Sequence, residues 1–288
     1  MSNLNRRRFC ASSAAALGLG PLVVGARGAY AAEAPPLPIF DAHLHYSHDA
    51  WEQLPPAQAV ALLRQAGLKA AMVSSSSDEG TQKLYQAAPD LVLPVLRPYR
   101  TRGEIGTWMH DASVIPHLEQ RLARYRYVAL GEYHVYGADA DLPVLRRVVA
   151  LARQHGLTLH SHSDAEAIER QFQQDPQARI LWAHAGFDTP ERVREMLRQH
   201  RQLWCDLAFR SDQASGGQVS AGWREAFLEF PDRFLVGTDT FTPERWHFVV
   251  EHARWTREWL RSLPPAVAEQ IAWKNGDRLF GQVLARRT

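Results

Sequence analysis

Cysteine is close to absent from this sequence: two occur in 288 residues, Cys10 and Cys205. Cys10 falls in a leader, as argued below, and a lone Cys205 excludes an internal disulfide even in an oxidising compartment, so packing or metal must supply stability. Lysine is almost as rare, confined to Lys69, Lys83 and Lys274. The apolar stretch from Ala14 to Val24 is too short to span a bilayer comfortably, which argues against a stable membrane anchor. No Gly/Ser linker or block of like charge divides the chain, so one domain is the simplest count. No glycine-rich phosphate loop follows the first strand-like run, which argues against an open nucleotide-binding sheet. Bulk positive charge is missing too, once it is located. The 33 basic and 31 acidic residues give +2, but residues 1–31 carry Arg6, Arg7, Arg8 and Arg27 and no acid. Without them 29 bases face 31 acids, a net of −2, and a nucleic-acid-binding surface loses its only bulk support.

What stands at the N-terminus is ordered as an export signal is ordered: Asn5-Arg6-Arg7-Arg8-Phe9-Cys10, the apolar stretch, then Ala29-Tyr30-Ala31 as a small-x-small cleavage site. This resembles a twin-arginine signal peptide over residues 1–31 and implies a periplasmic or secreted protein. Cys10 precedes the apolar stretch, which argues against a lipoprotein cleavage site. The twin-arginine route carries proteins already folded and often loaded with cofactor, a first pointer to a metal.

The remaining residues, 32–288, alternate short apolar runs with helical patterns. The runs begin near Ile39, Leu68, Leu91, Tyr127, Leu157, Ile180, Leu203 and Phe234. Eight such units predict an α/β fold, a (β/α)8 TIM barrel, and the runs are apolar throughout, as strands buried on both faces require. Thr189-Pro190 reads as an N-cap followed by proline in the first turn, and Gly156 after Arg153-Gln154-His155 as a C-cap, bounding helices over Pro190 to Gln199 and Leu142 to Gln154. From Arg257 the chain predicts an appended helix pair, broken at Pro264-Pro265 and continuing from Ala266 to Leu284.

The ends of the predicted strands concentrate metal-competent groups: His43-Leu44-His45, Glu132, His160-Ser161-His162, His184 and Asp239, with Ser74 to Ser77, Arg97 and Asp206 at the other three ends. Residues two apart on a strand share a side, so His43 and His45 can reach one ion. A lone His-x-His is weak evidence; convergence of several strand ends on one barrel mouth is what gives it weight. His160 and His162 have the same parity, and periodicity does not choose between them. The bland reading of Glu132 is a salt bridge to one of the many arginines. His134, two residues beyond Glu132, is a weaker candidate for a site role.

The chain resembles the amidohydrolase superfamily, and within it the amidohydrolase-related barrels that include aminocarboxymuconate-semialdehyde decarboxylase-like enzymes. Phe40-Asp-Ala-His-Leu-His45, Leu159-His160, Trp182-Ala-His184-Ala-Gly186, Val236-Gly-Thr-Asp239 and Ile271-Ala-Trp-Lys-Asn-Gly-Asp-Arg-Leu-Phe280 carry the resemblance. It implies that His43, His45 and His160 ligate a divalent metal, that Asp239 ligates it or holds its water as general base, and that His184 orients substrate or binds a second ion. His162 then either supports the ligands from behind or faces substrate. No lysine lies near the fourth strand, which disfavours a carbamylated-lysine centre; Leu130-Gly131-Glu132 instead resembles the strand-four Gly-Glu of TatD-like hydrolases, where the glutamate bridges two ions.

Imidazoles and carboxylates select a borderline divalent ion, zinc first, with manganese or iron as alternatives. The expected function is metal-dependent hydrolysis of an amide, ester, lactone or related bond in a small molecule, with non-oxidative decarboxylation of an acidic substrate as the alternative. Arg210, three residues past an apolar strand end, is the expected substrate-binding arginine; Arg97, Arg100 and Arg102 are also near predicted mouths. The sequence fixes neither the substrate nor the oligomeric state.

Overall fold

The computed structural model describes residues 36–281. The leader and the chain beyond Gly281, including the predicted end at Leu284, lie outside the described residues. Eight strands, β1 (Ile39–Leu44), β2 (Leu68–Val73), β3 (Val92–Leu96), β4 (Ala129–His134), β5 (Thr158–His162), β6 (Ile180–Trp182), β7 (Leu203–Asp206) and β8 (Phe234–Leu235), follow one another in a single sheet in chain order. Neighbours pair in parallel throughout. The sheet closes on itself: the Ala42 amide donates to the Val236 carbonyl at 2.8 Å, His45 to Thr240 at 2.8 Å and Asp239 to His43 at 2.7 Å. Asp41 reinforces that seam, accepting from the Thr238 amide at 3.1 Å and hydroxyl at 2.7 Å. This is the expected TIM barrel, with each run starting within two residues of its predicted place.

Two apolar layers hold it. Phe40, Ala42, Ala70, Met72, Leu93, Val95, Leu181, Trp204 and Leu235 fill the barrel interior, and Phe280 joins them, its ring 6.0 Å from that of Phe40. The larger layer lies between barrel and helices. Helix boundaries follow local chemistry: the helix Pro190–Gln199 starts on Thr189, whose hydroxyl accepts from the Arg192 amide, and Pro143–His155 ends on Gly156 at φ 66°. The C-terminal segment is helical as expected, but Arg257 lies inside a helix that begins at Val249, and after Pro265–Glu269 the turns widen to π-type over Gln270–Lys274 and Asp277–Gly281. No helix among the described residues is long and apolar enough to cross a membrane.

Two irregularities aim the site. Asp41 pairs with Ala71 and Leu44 with Val73, three steps on β1 against two on β2. This bulge turns His43 and His45 inward, although Phe40 and Ala42, of the opposite parity, also face the interior. On β4, Gly131 pairs with His160 and Tyr133 with Ser161, leaving Glu132 as the extra residue. Gly131 is needed there: its φ is +134°, and a Cβ would fall 2.1 Å from the His160 carbonyl oxygen. Gly131→Ala should therefore lower unfolding stability by about 2–4 kcal/mol in a denaturant titration, well beyond an ordinary Gly→Ala change.

Candidate functional site

The carboxyl ends of the strands place His43, His45, Glu132, His184 and Asp239 together, all but fully buried. His43 Nε2 lies 3.2 Å from His45 Nε2 and 3.4 Å from Glu132 Oε2. His45 Nε2 lies 3.3 Å from Glu132 Oε2 and 3.1 Å from Asp239 Oδ1, and His43 Nε2 3.7 Å from the same Asp239 oxygen. Donors about 2.0–2.1 Å from one tetrahedral ion stand roughly 3.3–3.5 Å from each other. These five separations scatter around that value.

The other oxygen of Glu132 faces a different set. Oε1 lies 2.7 Å from His162 Nδ1, 3.5 Å from His184 Nε2 and 4.0 Å from His134 Nε2. His162 is thus brought to Glu132, whereas His160 is not. His160 sits one layer deeper, its Nε2 2.9 Å from Asp206 Oδ2. His160 thus stands beside His43 and Asp206, and His162 beside Glu132 at the cavity wall, a distinction that strand parity left open.

Ring orientations are fixed from behind. His45 Nδ1–H donates to the Ser74 carbonyl at 2.8 Å and His184 Nδ1–H to the Ala208 carbonyl at 2.8 Å, so in the neutral rings both Nε2 lone pairs point into the site. His43 Nδ1 lies 3.1 Å from Asp206 Oδ2, the oxygen that also meets His160. Asp206 Oδ1 accepts the amides of His184 at 3.0 Å and Ala208 at 3.1 Å. This one carboxylate therefore ties together the ends of β1, β5, β6 and β7. Tyr99 fixes His134: its oxygen accepts the His134 amide at 2.6 Å and its hydroxyl reaches Nδ1 at 2.9 Å.

The electrostatics call for positive charge. Burial alone would raise the carboxyls of Glu132 and Asp206, but the surrounding imidazoles, His43 foremost, hold both well below the usual range. Asp239 is lowered to about 2, burial being overcome by His43 and His45. Burial would lower His43, yet Asp206, Glu132 and Asp239 raise it well above an ordinary histidine. Burial takes His134 down to about 3 and, with the charge on His43, His160 to about 4, so both are neutral near pH 7. One cation is already present: Arg97 Nη2 donates to Glu132 Oε2 at 2.7 Å and Nε to the Glu132 carbonyl at 3.0 Å. The salt bridge expected of Glu132 as the bland alternative thus coexists with its place between the imidazoles.

A cavity of about 240 Å³ opens over this cluster, lined by His45, Glu132, His134, His162 and Asp239 together with Arg97, Arg102, Tyr99 and Phe241. Arg210 does not line it. Its guanidinium is held bidentately by Asp212 at 2.9 and 2.7 Å, donates to the Asp188 carbonyl at 2.8 Å and stacks on Trp223 at 4.6 Å. Arg210 lines instead a neighbouring cavity of about 190 Å³ with Phe209 and Arg245, while Arg97 and Arg102 are the arginines of the cavity over the histidines. Sequence reasoning noted Asp206 at its strand end without assigning it a task, and passed over Tyr99. The signal for Asp206 was its place beside the histidines in the strand-end series, but its partners depend on depth within the barrel.

Among solved structures, an uncharacterised TIM-barrel protein from Bordetella bronchiseptica is 17% identical, covering 85% of this chain and 99% of that one with a TM-score of 0.59. A zinc-bound amidohydrolase from Burkholderia multivorans is 17% identical over 84% and 99% of the two chains, with a TM-score of 0.52. A putative 2-pyrone-4,6-dicarboxylic acid hydrolase from Pseudomonas putida is 14% identical over 86% and 98%, with a TM-score of 0.56. These likenesses establish the fold. No curated protein matches the chain. The Amidohydrolase family model matches residues 40–282, from the first histidine strand through the π-type turns that carry Phe280. The chain therefore belongs to the amidohydrolase family and is a metal-dependent hydrolase.

Proposed function

We propose that the protein cleaves an amide, ester, lactone or related bond of a small molecule at a centre suited to two divalent ions, zinc first among them. The observation that carries this reading is the division of Glu132: Oε2 faces His43 and His45, whose Nε2 atoms also meet Asp239 Oδ1, while Oε1 faces His162 and His184. A carboxylate so placed would have one oxygen to offer to each of two divalent ions. The first position would be held by His43, His45, Asp239 and Glu132, the second by Glu132, His162 and His184. Bound there, divalent ions would polarise the scissile carbonyl and bring the pKa of water down to about 7.

The chain's own groups supply the rest. Asp239, ionised and at the cavity wall, accepts the proton of the attacking water and returns it to the leaving group. His134 receives the Tyr99 hydroxyl at Nδ1, which leaves Nε2–H to donate toward the substrate. Arg97 keeps Glu132 in place, and its second amine lies 3.5 Å from Ser76 Oγ at the cavity wall. Decarboxylation is the weaker reading, because one ion suffices for it and it leaves the second face of Glu132 without a task. The cavity size limits substrates to small molecules. We also propose export by the twin-arginine route, on the order of charge, apolar run and cleavage site in residues 1–31.

Metal analysis of the purified protein should find two ions per chain; none would sink the assignment. His162→Ala should reduce the count to one, while His160→Ala should leave it at two, and the reverse pattern would reinstate His160 as ligand. Asp239→Asn should keep most of the metal and lower kcat by about 10³-fold or more; a variant with most of its turnover would refute the general-base role. Replacing Arg6, Arg7 and Arg8 together by lysine preserves charge and should trap the precursor inside the cell on fractionation.

A further inference from the structure

Among the described residues six large apolar side chains are strongly exposed, and four of them, Ile105, Tyr136, Phe187 and Phe209, follow the strand ends that surround this site. Ile105 lines the cavity itself, and Phe209 lines a neighbouring cavity of about 190 Å³. Phe187 stacks on His184 with ring centroids 4.5 Å apart and 15° between planes, and lies 5.9 Å from His162. Tyr136 is 6.1 Å from His162, and Phe209 is 6.1 Å from both His184 and Phe241.

The backbone makes this exposure more telling. Non-glycine residues with positive φ occur at His184, Ala185, Phe187, Phe209 and Asp239, all just beyond β6, β7 and β8. Phenylalanine is poorly suited to this left-handed conformation, where glycine or asparagine would be at ease. Phe187, at φ 52° and 54% exposed, and Phe209, at φ 55° and 43% exposed, thus carry two costs at once, a disfavoured backbone and an aromatic ring in water. Each ring is backed on one side, Phe187 by the His184 imidazole and Phe209 by the Arg245 guanidinium 4.2 Å from its centroid. The cavity itself sets the polar groups of Ser47, Ser76, Arg97 and Arg102 beside Tyr99, Ile105 and Phe241. A polar cavity flanked by exposed aromatic rings has a preferred ligand shape.

We propose that Phe187 and Phe209 are specificity-determining residues, and that the substrate carries a planar unsaturated group, aromatic or conjugated, beside its scissile bond. That group lies against the exposed ring faces while the reacting carbonyl sits over Glu132 and Asp239. This rests on the hydrolase reading only for the location of the reacting bond. Stacking also explains why the chain keeps phenylalanine at positions whose backbone favours glycine: the return comes from the ligand.

The test reads affinity, not turnover. Benzylphosphonate, cyclohexylmethylphosphonate and methylphosphonate are titrated calorimetrically into the full-length protein, as purified and after zinc loading. Benzylphosphonate should bind at least tenfold more tightly than methylphosphonate and several-fold more tightly than the cyclohexyl analogue. Phe187→Gly and Phe209→Gly should each bring the benzyl-to-methyl ratio to within about threefold of unity, while their melting temperatures stay at or above that of the unsubstituted chain, because glycine relieves the backbone. Equal binding of the three phosphonates, failure of all three to bind, or an unchanged ratio in both variants would overturn the proposal. A protein that shows the aromatic preference but turns over no ester, amide or lactone would count against the hydrolase reading alone.

Discussion

The site hangs on one carboxylate. Glu132 is the extra residue of a bulge, and being extra is what lets it leave the strand's alternation and lie across the barrel axis with an oxygen toward each histidine set. A buried carboxylate in that position is tolerable only with positive charge beside it. Arg97 supplies part of that charge from the neighbouring strand end, bound to both the side chain and the carbonyl of Glu132, so direction and charge are fixed together. His43, raised by the carboxylates around it, carries positive charge here, but an imidazole that presents its lone pair to an ion gives that charge up. Glu132 and Asp239 then face the cavity against the fixed charge of Arg97, and a divalent metal would supply the balance.

Asp206 meets the opposite requirement. It faces no cavity, and both of its oxygens are spent on four partners, three from other strand ends and the Ala208 amide from its own. Its task is to set the ring planes of His43 and His160, which would otherwise turn freely about their last torsion. The site thus has two tiers: an upper one whose polar atoms are left for ligands, and a lower one whose polar atoms are all satisfied within the protein.

Much of the fold was legible because its signals are local. Apolar runs such as Val92–Leu96 and Ile180–Trp182 are buried on both faces and contain no competing pattern, and Thr189, Pro190 and Gly156 mark helix ends by chemistry that needs no distant partner. The clustering of His43, His45, Glu132, His184 and Asp239 followed from the rule that strands in such a barrel end at one mouth. What escaped depends on register and depth. His160 and His162 share a strand parity, and only depth within the barrel decides which meets Asp206 on β7 and which meets Glu132 on β4. Nothing in the run of residues announces the bulges at Asp41–Leu44 and Gly131–Tyr133. The place of Arg210 in a neighbouring cavity escaped for a related reason, since Asp212, two residues on, holds its guanidinium.

The seam between β8 and β1 has a consequence in time. The hydrogen bonds of Asp41 to Thr238 join residues 197 positions apart, and Phe280, close to the end of the chain, seats on Phe40 at its beginning. Loop closure over such a distance comes after local structure has formed. A nascent chain on the ribosome therefore has its histidine strand long before it has Asp239 to complete it. The barrel floor and the ion site reach completion only after Asp239 and Phe280 have emerged, so a chain interrupted before them is left with neither.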